Sequence, residues 1–223
     1  MFKKIYDALH REFGPQGWWP VNGAYNKNDF DIPRNKKEEF EIILGAILTQ
    51  NTSWKNVEKA LANLREANIC SPEKILQSNK NKLANLIRPS GYYNQKAERL
   101  KIVSKFFLSN KNLEALPTPE LREKLLSVKG IGPETADSII LYAFKKPIFV
   151  IDAYTKRIFS RLGLCSKDAD YHSVQELFHA NLKKDVPVYN EYHALLVELA
   201  KKHCAKIPVC SSCPIDKFCR KSL

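Results

Sequence analysis

Val128-Lys129-Gly130-Ile131-Gly132-Pro133-Glu134-Thr135-Ala136 is the stretch whose chemistry points to a fold. A helical pattern ends before it and another begins after it. Two glycines flank one apolar residue. Glycine adopts backbone angles closed to other residues and lets a second backbone approach closely. Ile131 can then plug the reversal into a core, and Pro133 suits the first turn of the following helix. The amides of the reversal and of that helix start point outward and can hold a phosphate. Gly-x-Gly alone is an ordinary tight turn. The whole string, set between two helical patterns in a basic chain, predicts a hairpin that grips a nucleic-acid backbone.

Around it, apolar residues recur at helical spacing. Phe2, Ile5, Tyr6, Leu9 and Phe13 share one face. So do Phe40, Ile43, Leu44, Ile47 and Leu48, and then Trp54, Val57, Leu61 and Leu64. Leu100, Val103 and Phe107 continue the pattern, which is the signature of amphipathic helices. Later helices are expected over about 118–127, 134–144, 153–162, 172–183 and 189–203. Pro15-Gln16-Gly17 and Pro33 frame an irregular loop, and Pro89-Ser90-Gly91 marks a turn. Ile148 to Ile151 reads either as a brief strand or as a buried connector. Strand-like alternation is otherwise scarce, so the expected fold class is all-α.

The chain has 223 residues, 44% of them hydrophobic, enough for one large domain or two small ones. Lys and Arg number 36 against 24 Asp and Glu, a net charge of +12. That balance attracts polyanions, nucleic acid first and an anionic membrane second. No apolar run reaches the length of a signal peptide or a membrane span, so the expected address is cytoplasmic, on the nucleoid.

Four of the six cysteines crowd into one late segment, spaced Cys204-x5-Cys210-x2-Cys213-x5-Cys219. Four thiolates from one compact loop can close around a metal centre. Two disulfides are the alternative, which a cytoplasmic address disfavours. Cys70 and Cys165 stand alone and read as buried thiols.

The hairpin string resembles the helix-hairpin-helix of the endonuclease III superfamily of DNA glycosylases. In that family a catalytic aspartate follows an apolar stretch at a set distance from the hairpin and opens a helix. Asp152, twenty residues after Gly132 in Val150-Ile151-Asp152-Ala153-Tyr154, matches that placement. Leu44-Gly45-Ala46-Ile47-Leu48-Thr49-Gln50-Asn51-Thr52 also resembles the end of an early helix there. The resemblance implies that Gln50 enters the DNA stack where a base has been extruded. It implies a hairpin grip through Lys129, Gly130, Ile131 and Gly132, and a [4Fe-4S] cluster on Cys204, Cys210, Cys213 and Cys219. The usual first cysteine gap of relatives is one residue longer. Zinc is the alternative metal, since four-cysteine sites often hold it.

Breaking a glycosidic bond to a base builds positive charge on the sugar, which a carboxylate stabilises while orienting the attacking water. Asp152 can do this and cap a helix at once. Bifunctional relatives carry a lysine two residues after the second hairpin glycine, and it attacks the sugar as an amine nucleophile. This chain has Glu134 there, which predicts a water-using glycosylase without lyase activity. Gly17-Trp18-Trp19-Pro20, Arg88-Pro89-Ser90-Gly91-Tyr92-Tyr93-Asn94-Gln95-Lys96-Ala97 and Glu134 resemble the 3-methyladenine glycosylase branch. That branch implies a base pocket lined by Trp18, Trp19, Pro20 and Phe40. Aromatic walls stack on an extruded base and attract cationic rings, at about 0.5–2 kcal/mol per contact. From chemistry alone the tryptophans serve equally well as core.

The expectation is therefore a two-domain helix-hairpin-helix glycosylase with a C-terminal [4Fe-4S] loop. One six-helix domain spans 31–146 and ends in the hairpin, and the other combines 1–30 with 147–223. Its partner is damaged double-stranded DNA, and it acts as a monomer. Alternatives are an endonuclease III-like lyase for oxidised pyrimidines, a mismatch or uracil glycosylase, and a damage-binding protein without catalysis.

Overall fold

The computed structural model describes residues 1–221, and among these every extended element is helical. The helices are α1 Phe2–Phe13, α2 Lys36–Leu48, α3 Trp54–Glu66, α4 Pro72–Gln77, α5 Lys80–Leu86, α6 Tyr93–Ser109, α7 Thr118–Leu126, α8 Pro133–Ser138, α9 Ala153–Arg161, α10 Tyr171–Asn181 and α11 Val186–Lys202. Backbone contacts divide the chain into two compact units. One holds residues 1–18, 26–30 and the chain from Pro147 onward; the other holds 19–25 and 31–146. The N-terminal segment expected to stay whole is thus divided, with Trp19–Tyr25 joining the second unit. The reason is Trp19, whose ring is buried there.

In the unit of 19–25 and 31–146, α2 is the central helix. Asn35 caps it by accepting the Lys37 and Glu38 amides. Every residue from Phe40 to Leu48 is buried, so α2 is covered all round rather than on the one face its periodicity suggested. Lys96 of α6 is buried as well, and its Nζ donates to the carbonyls of Leu48 (2.9 Å) and Ser90 (2.7 Å). It closes the C-terminal end of α2 and ties it to the turn at 88–90. Burial, with a contribution from Arg99, pushes its pKa down to about 8.

α7 and α8 form the helix-hairpin-helix. Ile131 is buried, and its amide donates to Val128 O at 3.0 Å. Gly132 is the extended residue before α8, with Pro133 at its first position. The helix expected over 134–144 tightens and then widens: after Ser138 it continues as a π-helical turn, Ile139–Ala143. Asp137 of α8 is fully buried and takes a two-pronged bond from Arg122 of α7, Nε to Oδ1 at 2.7 Å and Nη2 to Oδ2 at 3.3 Å. This pair locks the two helices of the hairpin.

The other unit packs α1, α9, α10 and α11 around aromatic rings. Phe149 stacks on Phe178 at 3.7 Å, Phe2 meets Phe178 edge-on at 5.1 Å, and Tyr192 Oη donates to Phe2 O at 3.0 Å. Ile148–Ile151 is a buried connector. Three side chains of α10 satisfy its backbone where a sheet would use neighbouring strands. Gln175 Nε2 donates to Phe149 O (2.7 Å), the Phe149 amide donates to His179 Nε2 (3.2 Å), and the Ile151 amide donates to Tyr171 Oη (3.3 Å). The chain leaves this connector at Asp152.

Asp137→Ala strands the Arg122 guanidinium and should cost about 3–5 kcal/mol in urea unfolding. The double substitution Arg122→Met with Asp137→Leu, which leaves no charge behind, should cost much less. Equal losses would mean that the pair matters only through its volume.

Candidate active site

Asp152 is the N-cap of α9. Its Oδ1 accepts the Thr155 amide at 2.7 Å, and its Oδ2 lies 3.7 Å from Nε2 of His193 on α11. Its side chain is 13% exposed. Burial opposes the charge, but the neighbouring His193 and the Thr155 amide outweigh it and hold Asp152 below the usual carboxylate range. Sequence reading missed His193. It lies 41 residues from Asp152, and no local pattern marks it.

At the hairpin the two glycines play different parts. Gly130 has φ +94°, and a Cβ on it would lie 2.9 Å from Cγ and Cδ of Arg99. Gly130 therefore makes room for the Arg99 stem within the protein. A Cβ on Gly132 would meet nothing within 4 Å. Gly132, Pro133 and Glu134 are exposed, as is Lys129, so the open side of the hairpin is at Gly132.

Gln50, just beyond α2, is folded against this hairpin. Its Nε2 donates to Gly130 O and to Thr135 Oγ1, each at 3.0 Å, and its Oε1 accepts from Arg99 Nη1. On the adjoining turn, Tyr92 is 67% exposed and held at φ +45° ahead of α6.

The residues expected to form one aromatic pocket are not gathered in that way. Trp19 is buried edge-on against Trp54 and Tyr142, with ring centroids 5.1 Å apart in both pairs, and it lies against Gly45. Phe40 is buried facing Phe107 and borders a cavity of about 460 Å³ with Phe144, Ile43 and Leu113. Pro20 borders a separate cavity of about 300 Å³ with Glu41, Trp54 and Arg65. Trp18 is half-buried in the other unit, following a turn built around Glu191. The Glu191 carboxylate is buried and accepts the Gln16 amide at 2.6 Å. Gly17, at φ +74°, brings that turn so close that a Cβ would lie 2.8 Å from the Lys27 nitrogen.

Cys204, Cys210, Cys213 and Cys219 border one small cavity of about 30 Å³, walled also by apolar residues such as Leu162, Leu199 and Ile215 and by Arg161, His203, Asp216 and Lys221. All four carry free thiols. Burial, and then the neighbouring thiols, raise the pKa of Cys213. Arg161 stitches the loop, donating to Cys204 Sγ (3.3 Å), Ala205 O (2.6 Å) and Lys206 O (2.9 Å). Among the described residues no three His, Cys, Asp or Glu side chains converge as one metal ion requires. Four thiols on one small cavity are a donor set that suits an iron–sulfur group or a zinc ion.

Residues 44–184 match the HhH-GPD superfamily of base excision DNA repair proteins. A Methanocaldococcus jannaschii protein named "Putative DNA repair glycosylase" is 48% identical over 98% of this chain and 96% of its own. Endonuclease III of Thermotoga maritima is 30% identical over 84% of this chain and 86% of its own. Among solved structures, H. pylori 3-methyladenine DNA glycosylase bound to 1,N6-ethenoadenine superimposes with a TM-score of 0.73 at 33% identity, covering 90% of this chain and 97% of that one. An endonuclease III trapped on DNA gives a TM-score of 0.80 at 23% identity over 99% and 96% of the two chains, and so shares the fold. The helical architecture, the hairpin and the matched region together define a glycosylase of base excision repair. The chain belongs to the HhH-GPD superfamily. No helix among the described residues is long and apolar enough to cross a membrane.

The Asp152–His193 contact sets a pH dependence. A depressed carboxyl pKa adds stability that is fully present above the unfolded value, about 3.9. That stability is lost as pH falls through the lower folded value. His193→Ala removes the opposing partner, so burial should prevail and the Asp152 titration should move to higher pH. The carboxyl carbon shift of Asp152 reads this directly. An unmoved titration would mean that the Thr155 amide alone holds the charge.

Proposed function

We propose that this chain is a monofunctional glycosylase that removes alkylated purines, with 3-methyladenine as representative substrate, from duplex DNA, acting as a monomer. The observation that carries the reading is Glu134, exposed in the first turn of α8, where lyase relatives place an amine. A carboxylate cannot form a Schiff base, so water is the nucleophile. Its oxygen bonds to C1′ of the sugar as the bond to the base nitrogen breaks. The bonding pair leaves with the base, which neutralises a cationic alkylated purine. Asp152 stabilises the developing sugar cation and takes the proton of the water. Its contacts with Thr155 and His193 favour the ionised form this role needs.

The basic surface and the open hairpin face at Gly132, flanked by Lys129, support contact with phosphates. Gln50 fills the space left by the extruded base, and the exposed Tyr92 offers a second stacking face. Lys96 ties the segments that carry these two side chains. Trp18, half-buried after the turn at Glu191, stacks on the extruded base. The 33% identity with a structure of a 3-methyladenine glycosylase supports this choice of substrate.

We further infer a [4Fe-4S] cluster on Cys204, Cys210, Cys213 and Cys219. Its chemistry here is structural cross-linking. It would hold a loop whose Lys206, Lys217, Arg220 and Lys221 can face phosphates. Kinship with endonuclease III, at 30% identity in Thermotoga maritima, favours a second reading as a lyase for oxidised pyrimidines. In that reading exposed Lys129 would replace the missing amine.

Duplexes carrying 3-methyladenine, thymine glycol, uracil or a mismatch separate these readings. The expected result is release of 3-methyladenine with strand breaks only after alkali, no borohydride-trapped adduct, and loss of release by at least about a hundredfold in Asp152→Asn with DNA binding retained. A trapped adduct that disappears in Lys129→Ala would establish the lyase instead.

Cys213→Ser should abolish the visible absorbance of the purified protein together with its bound iron and sulfide, and should lower its melting temperature. Zinc in place of iron in the wild-type protein, purified without air, would overturn the cluster assignment.

A further inference from the structure

Gln50 is the side chain whose role on DNA leaves the most open, and its surroundings are unusually complete. Arginine can only donate and a backbone carbonyl can only accept. Arg99 Nη1 facing one end of the amide and Gly130 O facing the other therefore force its orientation, oxygen toward Arg99 and nitrogen toward the hairpin. The nitrogen carries two hydrogens, and both are used, one on Gly130 O and one on Thr135 Oγ1. Thr135 is buried, and Arg99 is wedged across the space that the missing Gly130 side chain leaves. The amide is thus clamped by three groups, each held by its own packing. The one hydrogen-bonding capacity left is the second lone pair of Oε1.

We propose that Arg99, Gly130 and Thr135 fix Gln50 as an acceptor-only wedge, so that the enzyme is indifferent to the base opposite the lesion. This rests on the reading that Gln50 enters the gap. Each of the four bases carries at least one donor on its pairing edge: adenine N6, cytosine N4, guanine N1 and N2, and thymine N3. A lone acceptor can make one bond to any of them. Discrimination would need the amide to present a hydrogen and its oxygen together, because the order of donors and acceptors along the edge differs from base to base, and both hydrogens are spent on the protein. Thr135 is accordingly a positioning residue for specificity, acting through Gln50.

Binding to duplexes with a tetrahydrofuran abasic site opposite A, C, G or T tests this without reference to the damaged base. For the wild-type protein the four dissociation constants should agree within about threefold, less than one net hydrogen bond of about fivefold. Thr135→Val keeps the shape and removes the hydroxyl, which releases one amide hydrogen, and it should spread the four values beyond about fivefold as that hydrogen begins to choose. Arg99→Ala frees only the carbonyl oxygen, leaves both hydrogens bound, and should keep the spread narrow. Gln50→Ala should weaken all four together. Thermal melting of each variant confirms folding.

A wild-type spread above about tenfold that collapses in Gln50→Ala would overturn the proposal while leaving the wedge reading intact. A narrow spread that stays narrow in Thr135→Val would show that saturation of the amide hydrogens is not the cause, and would overturn it too. If Gln50→Ala changes none of the four constants, Gln50 does not reach the gap, and the underlying reading fails with the proposal.

Discussion

A carboxylate with no exposed surface survives inside a protein only with its charge matched, and Asp137 is such a group. Arg122 reaches it from the preceding helix with two parallel bonds. That requirement fixes the two helices of the hairpin against each other. With them fixed, the short reversal between has little freedom. Ile131 goes into the core, Gly130 is pressed under Arg99, and Gly132 is left facing outward. Gln50, the groups around it and the exposed side of the hairpin at Gly132 all sit on a frame that this buried ion pair holds together.

The other unit solves a similar problem differently. A connector buried on all sides still has amides and carbonyls to satisfy. Here the partners are the side chains of Gln175, His179 and Tyr171 along a single helix. The connector ends at Asp152 with little slack, and the helix it opens supplies the Thr155 amide to the same carboxylate. Support from α10 and charge balance from α11 therefore meet at one residue. This pattern, a carboxylate on the end of a well-supported segment with its charge maintained by neighbours, is what pre-organisation requires.

Much of this was legible in the chain. The helices followed from the spacing of apolar residues, and the hairpin from two glycines around one isoleucine. Asp152 announced itself as a cap after an apolar run, and the four clustered cysteines do border one small cavity. Some readings were only half right for definable reasons. The tryptophan pair reads as a unit, yet neighbouring residues in an extended segment point opposite ways. Trp19 entered the core beside Gly45, while Trp18 stayed half-buried in the other unit. Phe40 went to the wall of a different cavity from Pro20. The two hairpin glycines look equivalent in sequence, and only the Arg99 stem distinguishes them.

By itself, then, the sequence determined what depends on near neighbours: helix positions and caps, and the hairpin. Those features follow from backbone sterics and from bonds within a turn or two. Tertiary structure decided who stands beside whom. Gln50 found its partners 49, 80 and 85 residues away, and Asp152 found His193 on a helix near the other end of its unit. No periodicity encodes such pairs, because they arise only when whole helices settle against one another. The charge state of Asp152 and the bonding capacity left to Gln50 are properties of that packing.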